Sequence, residues 1–353
     1  MKKLLFIIMI VAFVLGITHT NIGEVKNDNT SPNVELTDNL ENLPNGSITI
    51  TAVGDCTLAT DVNYSGSGSF VNEVRNQNND YSYFFKNVRK YFESDDLTII
   101  NFEGTLSENG SRAEKQFSFR GEPDFVNILS SSSVEAANLA NNHTKDYGMV
   151  ALSDTKEILS NNNIANFEGT DVVVYKANGI SVGLIGINAL NETHRGYFDD
   201  ALSAIKSQGV DLIIVSFHWG VERSDMPNSL QIELAHKAID NGADLVIGHH
   251  PHVLQGIEKY NGKYILYSLG NFCFGGNKNP SDKDTMIFRQ TFTFENGTVM
   301  DDDNYSIIPC SISSTSSRNN YQPTPLTSNE YERVKSKIIS RTNKINDIEL
   351  NFE

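Results

Sequence analysis

From Ser47 onward, short unbroken aliphatic runs alternate with longer stretches in which apolar side chains return every three or four residues. The runs Ile48–Val53, Leu97–Asn101, Val134–Leu139, Val182–Ile187, Leu212–Phe217, Leu245–Ile247 and Tyr264–Tyr267 have the length of strands. Between them, "YSYFFKNVRKYFESD" (81–95), "MVALSDTKEILSNNN" (149–163) and "NSLQIELAHKAIDNG" (228–242) carry helical periodicity and close on Asn, Gly or Asp. A strand that is apolar along its whole length has no face to give to water. The alternation therefore predicts an α/β domain whose sheets lie buried between helices.

Past residue 285 the pattern changes to strand-like alternation, "TMIFRQTFTFENGTVM", with Asn296-Gly297 as a hairpin turn. A Ser/Asn/Pro-rich stretch, 311–328, then leads to a last helix within "NEYERVKSKIISRTNK". At the other end, two lysines precede an unbroken apolar run from Leu4 to Ile17, the pattern of an export signal. The run is shorter than the about 20 apolar residues of a membrane span, and no small-x-small cleavage site follows it. The expectation is an exported protein at the extracellular face of the cell membrane, with this segment either cleaved or kept as an anchor. No Cys follows to carry a lipid. Residues 21–46 are polar and without hydrophobic period, as a solvated linker is. The chain thus divides into a signal peptide or anchor at 1–20, a linker at 21–46, a domain at 47–284 and a C-terminal extension at 285–353.

A formal charge of -16 argues against nucleic acid as a partner, because that affinity comes from neutralising phosphates with Lys and Arg. It leaves an anionic substrate open, since a bound divalent ion dominates its local field. The three cysteines, Cys56, Cys273 and Cys310, match no zinc or redox spacing. Buried thiols are the plainer expectation, with one Cys56–Cys273 bridge as the alternative.

Ligands of open α/β sheets collect beyond the carboxyl ends of the strands. The residues found there are Asp55; Glu103 in "NFEGTL"; Asn142, His143 and Asp146 in "NLANNHTKDYG"; His218 and Glu222 in "SFHWGVE"; and His249, His250 and His252 in "GHHPH". Five of the eight histidines, with carboxylates beside them, fall at strand ends. Imidazole and carboxylate together suit Zn, Mn or Fe. Each histidine alone is more often a packing or surface residue, but their joint placement favours a metal or catalytic cluster. Pro251 fixes its own φ and biases His250 toward extended backbone, which would hold the two flanking imidazoles stiffly. Asn142 can lend an amide oxygen to a metal, and His143 beside Asp146 can serve as an oriented acid. A helix cap in an Asn-rich chain is the competing account of that stretch.

With "AVGDCTL", "NFEGTLS", "FRGEP", "NLANNHTKDYG", "HWGVE", "GADLVIGHHPHVLQGIE" and "YSLGNFCF" in that order, the chain resembles the CapA family of capsule-synthesis proteins, within the calcineurin-like metallophosphoesterase superfamily. The likeness runs from about Ile48 to Phe274. It implies a four-layer sandwich of two β-sheets flanked by helices, with the site at one edge. It also implies one or two divalent metal ions, Mn, Zn or Fe. Carried over, Asp55 and His252 would hold the first ion, Glu103 would bridge, and Asn142, His218 and His250 would hold the second. His143 would be the acid, supported by Asp146. Arg120, Glu222 and Asn271 match positions expected to contact substrate or support the site. Two residues depart from the superfamily pattern: Thr57 stands where its Asp-x-His motif has histidine, and Glu103 where Asp is usual. His249 is an extra histidine, expected to point away.

The resemblance implies a part in making or exporting poly-γ-glutamate, with that polymer or another anionic substrate and capsule synthase subunits as partners. Two functions are compatible with these residues. One is a metal-dependent hydrolase of the phosphoesterase type. The other is a non-catalytic membrane-associated subunit that organises a synthase or exporter and binds anionic polymer, a reading that Thr57 favours.

Overall fold

The computed structural model describes residues 43–353 apart from Asp302, so the export signal and nearly all of the linker lie outside the described residues. The predicted strands form, most of them at greater length: Gly46–Thr57, Leu97–Phe102, Ala136–Asn138, Ile180–Asn188, Leu212–His218, Leu245–His249 and Lys263–Leu266. They divide between two sheets. Gly46–Thr57, Leu97–Phe102, Ala136–Asn138 and Ala165–Phe167 run parallel in the larger, and Ile180–Asn188, Leu212–His218, Leu245–His249 and Lys263–Leu266 run parallel in the smaller.

Period-2 alternation builds the layers. Ile48, Ile50, Ile99 and Ala136 of the larger sheet meet Leu184, Ile214, Leu245 and Ile247 of the smaller in one buried core. The next residues along face outward. Val53, Ile100 and Ala137 pack under helices Phe70–Asn76, Val126–Ser130 and Gly148–Asn161. Val215, Phe217 and Val246 pack under Tyr197–Lys206 and Ser229–Asp240. The result is a four-layer α/β sandwich: helices, sheet, sheet, helices.

Residues 285–353 enter this body. Asp284–Glu295 pairs antiparallel with Gly46–Thr57 along seven residues and turns at Asn296-Gly297, both at positive φ. Tyr305–Ser311 pairs beyond it, and Val334 and Ile338 of helix Ser328–Thr342 join the core between the sheets.

One predicted helix does not form. Residues 81–95 hold a 3-10 turn, Tyr81–Tyr83, and a four-residue helix, Arg89–Phe92. Packing overrides the local period here: Phe84 lies against Phe70, Phe85 against Phe272, and Asn87 bonds Gln322 and Thr324. The three cysteines are free and buried, so the alternative of a Cys56–Cys273 bridge is set aside.

Candidate metal centre at the strand ends

The two sheets face each other with a polar rung at their carboxyl edges. In the larger sheet Asp55 pairs with Asn101 and Asn101 with Asn138; in the smaller, Asn188 pairs with His218 and His218 with His249. Residues paired in register point to the same face, and two-residue spacing from core residues such as Ile99, Ala136 and Ile247 turns these side chains inward. Asp55 needs a further device. A register shift between Ala52 and Asp55 adds a residue, and the bulge turns the carboxylate to the inner face. Gly54 allows it, because a Cβ there would lie 2.1 Å from the Gly270 carbonyl oxygen.

Asp55 and Glu103 are fully buried. Asn101 Nδ2 donates to Asp55 Oδ1 at 2.9 Å and to Glu103 Oε1 at 3.2 Å, and Asn138 Nδ2 donates to Asn101 Oδ1 at 2.9 Å. His252 Nδ1 is 3.0 Å from Asp55 Oδ2, and His249 Nδ1 is 3.2 Å from Asp55 Oδ1. His218 presents Nε2 to Asn142 Oδ1 at 2.8 Å and Nδ1 toward Glu103 at 3.7 Å. Asn271 Oδ1 sits 2.9 Å from His252 Nδ1. The rings of His218 and His250 are 4.8 Å apart, and those of His250 and His252 5.8 Å. Donor atoms of Asp55, Glu103 and His218 lie within 4.8 Å of one another, as do those of Glu222, His250 and His252.

The "HPH" turn differs from its expected form. His250 has φ 96 and His252 φ 57, so Pro251 does not hold its predecessor extended. The chain reverses tightly at the sheet edge to bring both rings onto one side. Left-handed backbone costs of order 1–3 kcal/mol per residue, and bonds from the His250 amide to Asp55 Oδ2 (3.3 Å) and from the Arg223 amide to the Pro251 carbonyl (2.8 Å) offset it. His249 also departs from expectation. It points inward at Asp55 rather than away, because its register partner is His218.

These surroundings set the charge states. Burial alone would raise Asp55, but His249 and His252 hold it well below the usual carboxylate range. Burial, with Asp55 beside it, pushes Glu103 up to about 8. Burial and neighbouring His252 bring His250 down to about 4, and burial with His250 lowers His218 well below 6.5. Burial opposes protonation of His252, yet Glu103 and Asp55 raise it to about 9. The donor set fits a divalent cation: two buried acids, the neutral imidazoles of His218 and His250, and buried ring nitrogens of His249 and His250 with no hydrogen-bond partner.

His143 stands beside this cluster. Its Nδ1 lies 2.8 Å from Asp146 Oδ2, which also accepts from the Phe119 amide at 2.5 Å. Lys115 pairs with Asp146 and donates to the Asn142 carbonyl at 2.8 Å. Burial lowers His143 in spite of Asp146. A cleft of about 280 Å³ opens over His143 and His252, lined also by Phe117, Glu222, Arg223 and Asn271. Arg120 is not among its lining residues; its guanidinium lies 4.1 Å over the Tyr147 ring. Positive charge reaches this region instead through Arg223 in the cleft wall and Lys115 beside His143. A reading of strand ends misses both because they sit in loops without period, and misses Asn101 and Asn138 because both are counted within the strand runs Leu97–Asn101 and Val134–Leu139.

Fold and site together define a two-sheet α/β domain with a histidine–carboxylate centre at its carboxyl edge. The family model described as "Bacterial capsule synthesis protein PGA_cap" matches residues 49–276, and the chain belongs to that family. It is 32% identical over 231 residues to the "PGA biosynthesis protein CapA" of Bacillus subtilis (strain 168), covering 59% of this chain and 60% of that protein. It is 29% identical over 312 residues to the "Capsule biosynthesis protein CapA" of Bacillus anthracis, covering 80% and 71%. A crystal structure of a hypothetical protein from Thermus thermophilus aligns over 74% of this chain and 98% of that one, at TM-score 0.43 and 14% identity, a likeness too loose to bear on function.

Proposed function

We propose that this chain acts in poly-γ-glutamate capsule synthesis at the outer face of the cell membrane, through a metal-dependent hydrolase site of the phosphoesterase type. The relatives' names, PGA and capsule biosynthesis, support the process. One observation carries the chemistry: Asp55 and Glu103 are buried together against four histidines, and two of those rings keep buried nitrogens without partners. Asp55, Glu103, Asn142, His218, His250 and His252 are the residues that would hold one or two divalent ions. A bound divalent ion lowers the pKa of water toward about 7 and stabilises developing negative charge on oxygen.

The chain's own residues supply the rest. Asp146 accepts at His143 Nδ1 and fixes the ring, so that in the imidazolium form Nε2 hands its proton to a departing alkoxide and leaves the neutral ring. Lys115 holds Asp146 in place. Arg223 gives the cleft a cation for an anionic substrate, while Phe117 and Phe119 restrict water on one side.

The test is metal analysis of the purified protein, followed by turnover of p-nitrophenyl phosphate by the Mn and Zn forms. Bound metal and turnover that falls about 100-fold or more in His143→Ala, with metal content intact, are expected. Metal with turnover indifferent to that substitution would favour the other reading, a non-catalytic subunit that binds anionic polymer and organises a synthase or exporter.

A further inference from the structure

We propose that His249 is itself a ligand of the ion held at Asp55, an inference that rests on the metal-centre reading above. His249 ends the strand Leu245–His249 opposite His218, with its ring on the inner face of the smaller sheet and 1% of its surface exposed. Nδ1 lies 3.2 Å from Asp55 Oδ1, yet neither Nδ1 nor Nε2 has a hydrogen-bond partner. A buried polar group without a partner costs about 1–3 kcal/mol, and native interiors keep few.

Asp55 does not depend on His249 for hydrogen bonds, because each of its oxygens has another donor. Asn101 Nδ2 serves Oδ1 at 2.9 Å, and the His250 amide serves Oδ2 at 3.3 Å. The observed spacing has another explanation. Two donor atoms each about 2.1 Å from one ion, at tetrahedral or octahedral angles, stand about 3.0–3.4 Å apart. His249 Nδ1 and Asp55 Oδ1 meet that condition at 3.2 Å, as His252 Nδ1 and Asp55 Oδ2 do at 3.0 Å. On the other sheet, Thr57 offers only a hydroxyl, which bonds Glu103 at 3.4 Å. The smaller sheet therefore supplies, through 249, the nitrogen that position 57 lacks.

Zinc is the probe, read by calorimetric titration of the metal-free full chain and by X-ray absorption, which counts imidazoles around the metal. His249→Ala and His249→Gln are compared with wild type, the second because its carboxamide keeps a hydrogen bond and much of the volume if the first fails to fold. In both, zinc affinity is expected to fall at least about 10-fold, with fewer imidazoles per zinc. Wild-type affinity in His249→Gln would overturn the proposal, as would weaker binding with an unchanged imidazole count, which makes His249 a positioning residue. Absence of zinc binding by wild type would instead overturn the metal-centre reading.

Discussion

The two ends of the parallel strands both gather acids, in different company. At the amino ends, each acid just before a strand accepts a backbone N–H from the neighbouring strand. Asp96 accepts from Thr49 (2.8 Å), Glu135 from Thr98 (2.8 Å), Asp211 from Ser181 (2.7 Å) and Asp244 from Ile213 (2.9 Å). Those N–H groups lie where pairing begins, and the carboxylates satisfy them. At the carboxyl ends, Asp55 and Glu103 face side chains: amides, imidazoles and each other. Backbone satisfaction explains the first set. It leaves the second, more deeply buried set without a structural purpose, and there the proposed cation would supply one.

The comparison is sharpest where the two ends respond oppositely to substitution. Asp55→Asn is expected to weaken Mn or Zn binding by more than about 100-fold, a larger loss than removing an outer-shell partner brings. The midpoint of urea unfolding for the metal-free protein should also fall at neutral pH, since His249 and His252 hold Asp55 ionised and the buried His252 loses that partner. Metal affinity unchanged by Asp55→Asn would mean that the carboxyl end is structural after all. Asp244→Ala, at the other end, should cost about 1–3 kcal/mol by loss of a charged bond to the Ile213 amide. Its zinc affinity should stay at the wild-type value, and a loss there would join two ends that the fold keeps apart.

Legibility in the sequence divides along the same line. The layers follow from alternation, because Ile99 and Ile100, or Ile247 and Val246, must face opposite cores. Asp55, Glu103, His218 and His252 are visible as polar residues that end apolar runs. The direction of His249 is not visible, because it depends on register with His218, which no local pattern encodes. The motif around Arg120 points to the cleft, whereas the loop before it is what brings a cation, Lys115, to His143. Asn101 reads as the last residue of a strand, and only the fold shows it as the amide joining both acids. The amino-end acids are open to reading: "DDLTII", "VEAAN", "VDLIIV" and "ADLVIG" each set an acid directly before a strand.

The smallest expected effect tests whether an amino-end acid works as an anion. Burial, with Asp95 nearby, pushes Glu135 from 4.5 up to about 7, and burial pushes Asp95 up to about 6. A carboxyl whose folded pKa is raised keeps its proton in the fold where the unfolded chain has lost it. Its contribution to stability is therefore full below about 4.5 and is lost as pH rises through about 7. Glu135→Gln mimics the protonated form and retains an oxygen for the Thr98 amide. Relative to wild type, the variant should gain unfolding free energy steadily from pH 5 to pH 8, with little difference at pH 4. Using the difference between the two proteins removes the titration of Glu103 and His252, which both share. If the variant is instead the less stable at pH 8, Glu135 acts as a charged cap, and the contrast between the ends rests on partners alone rather than on charge.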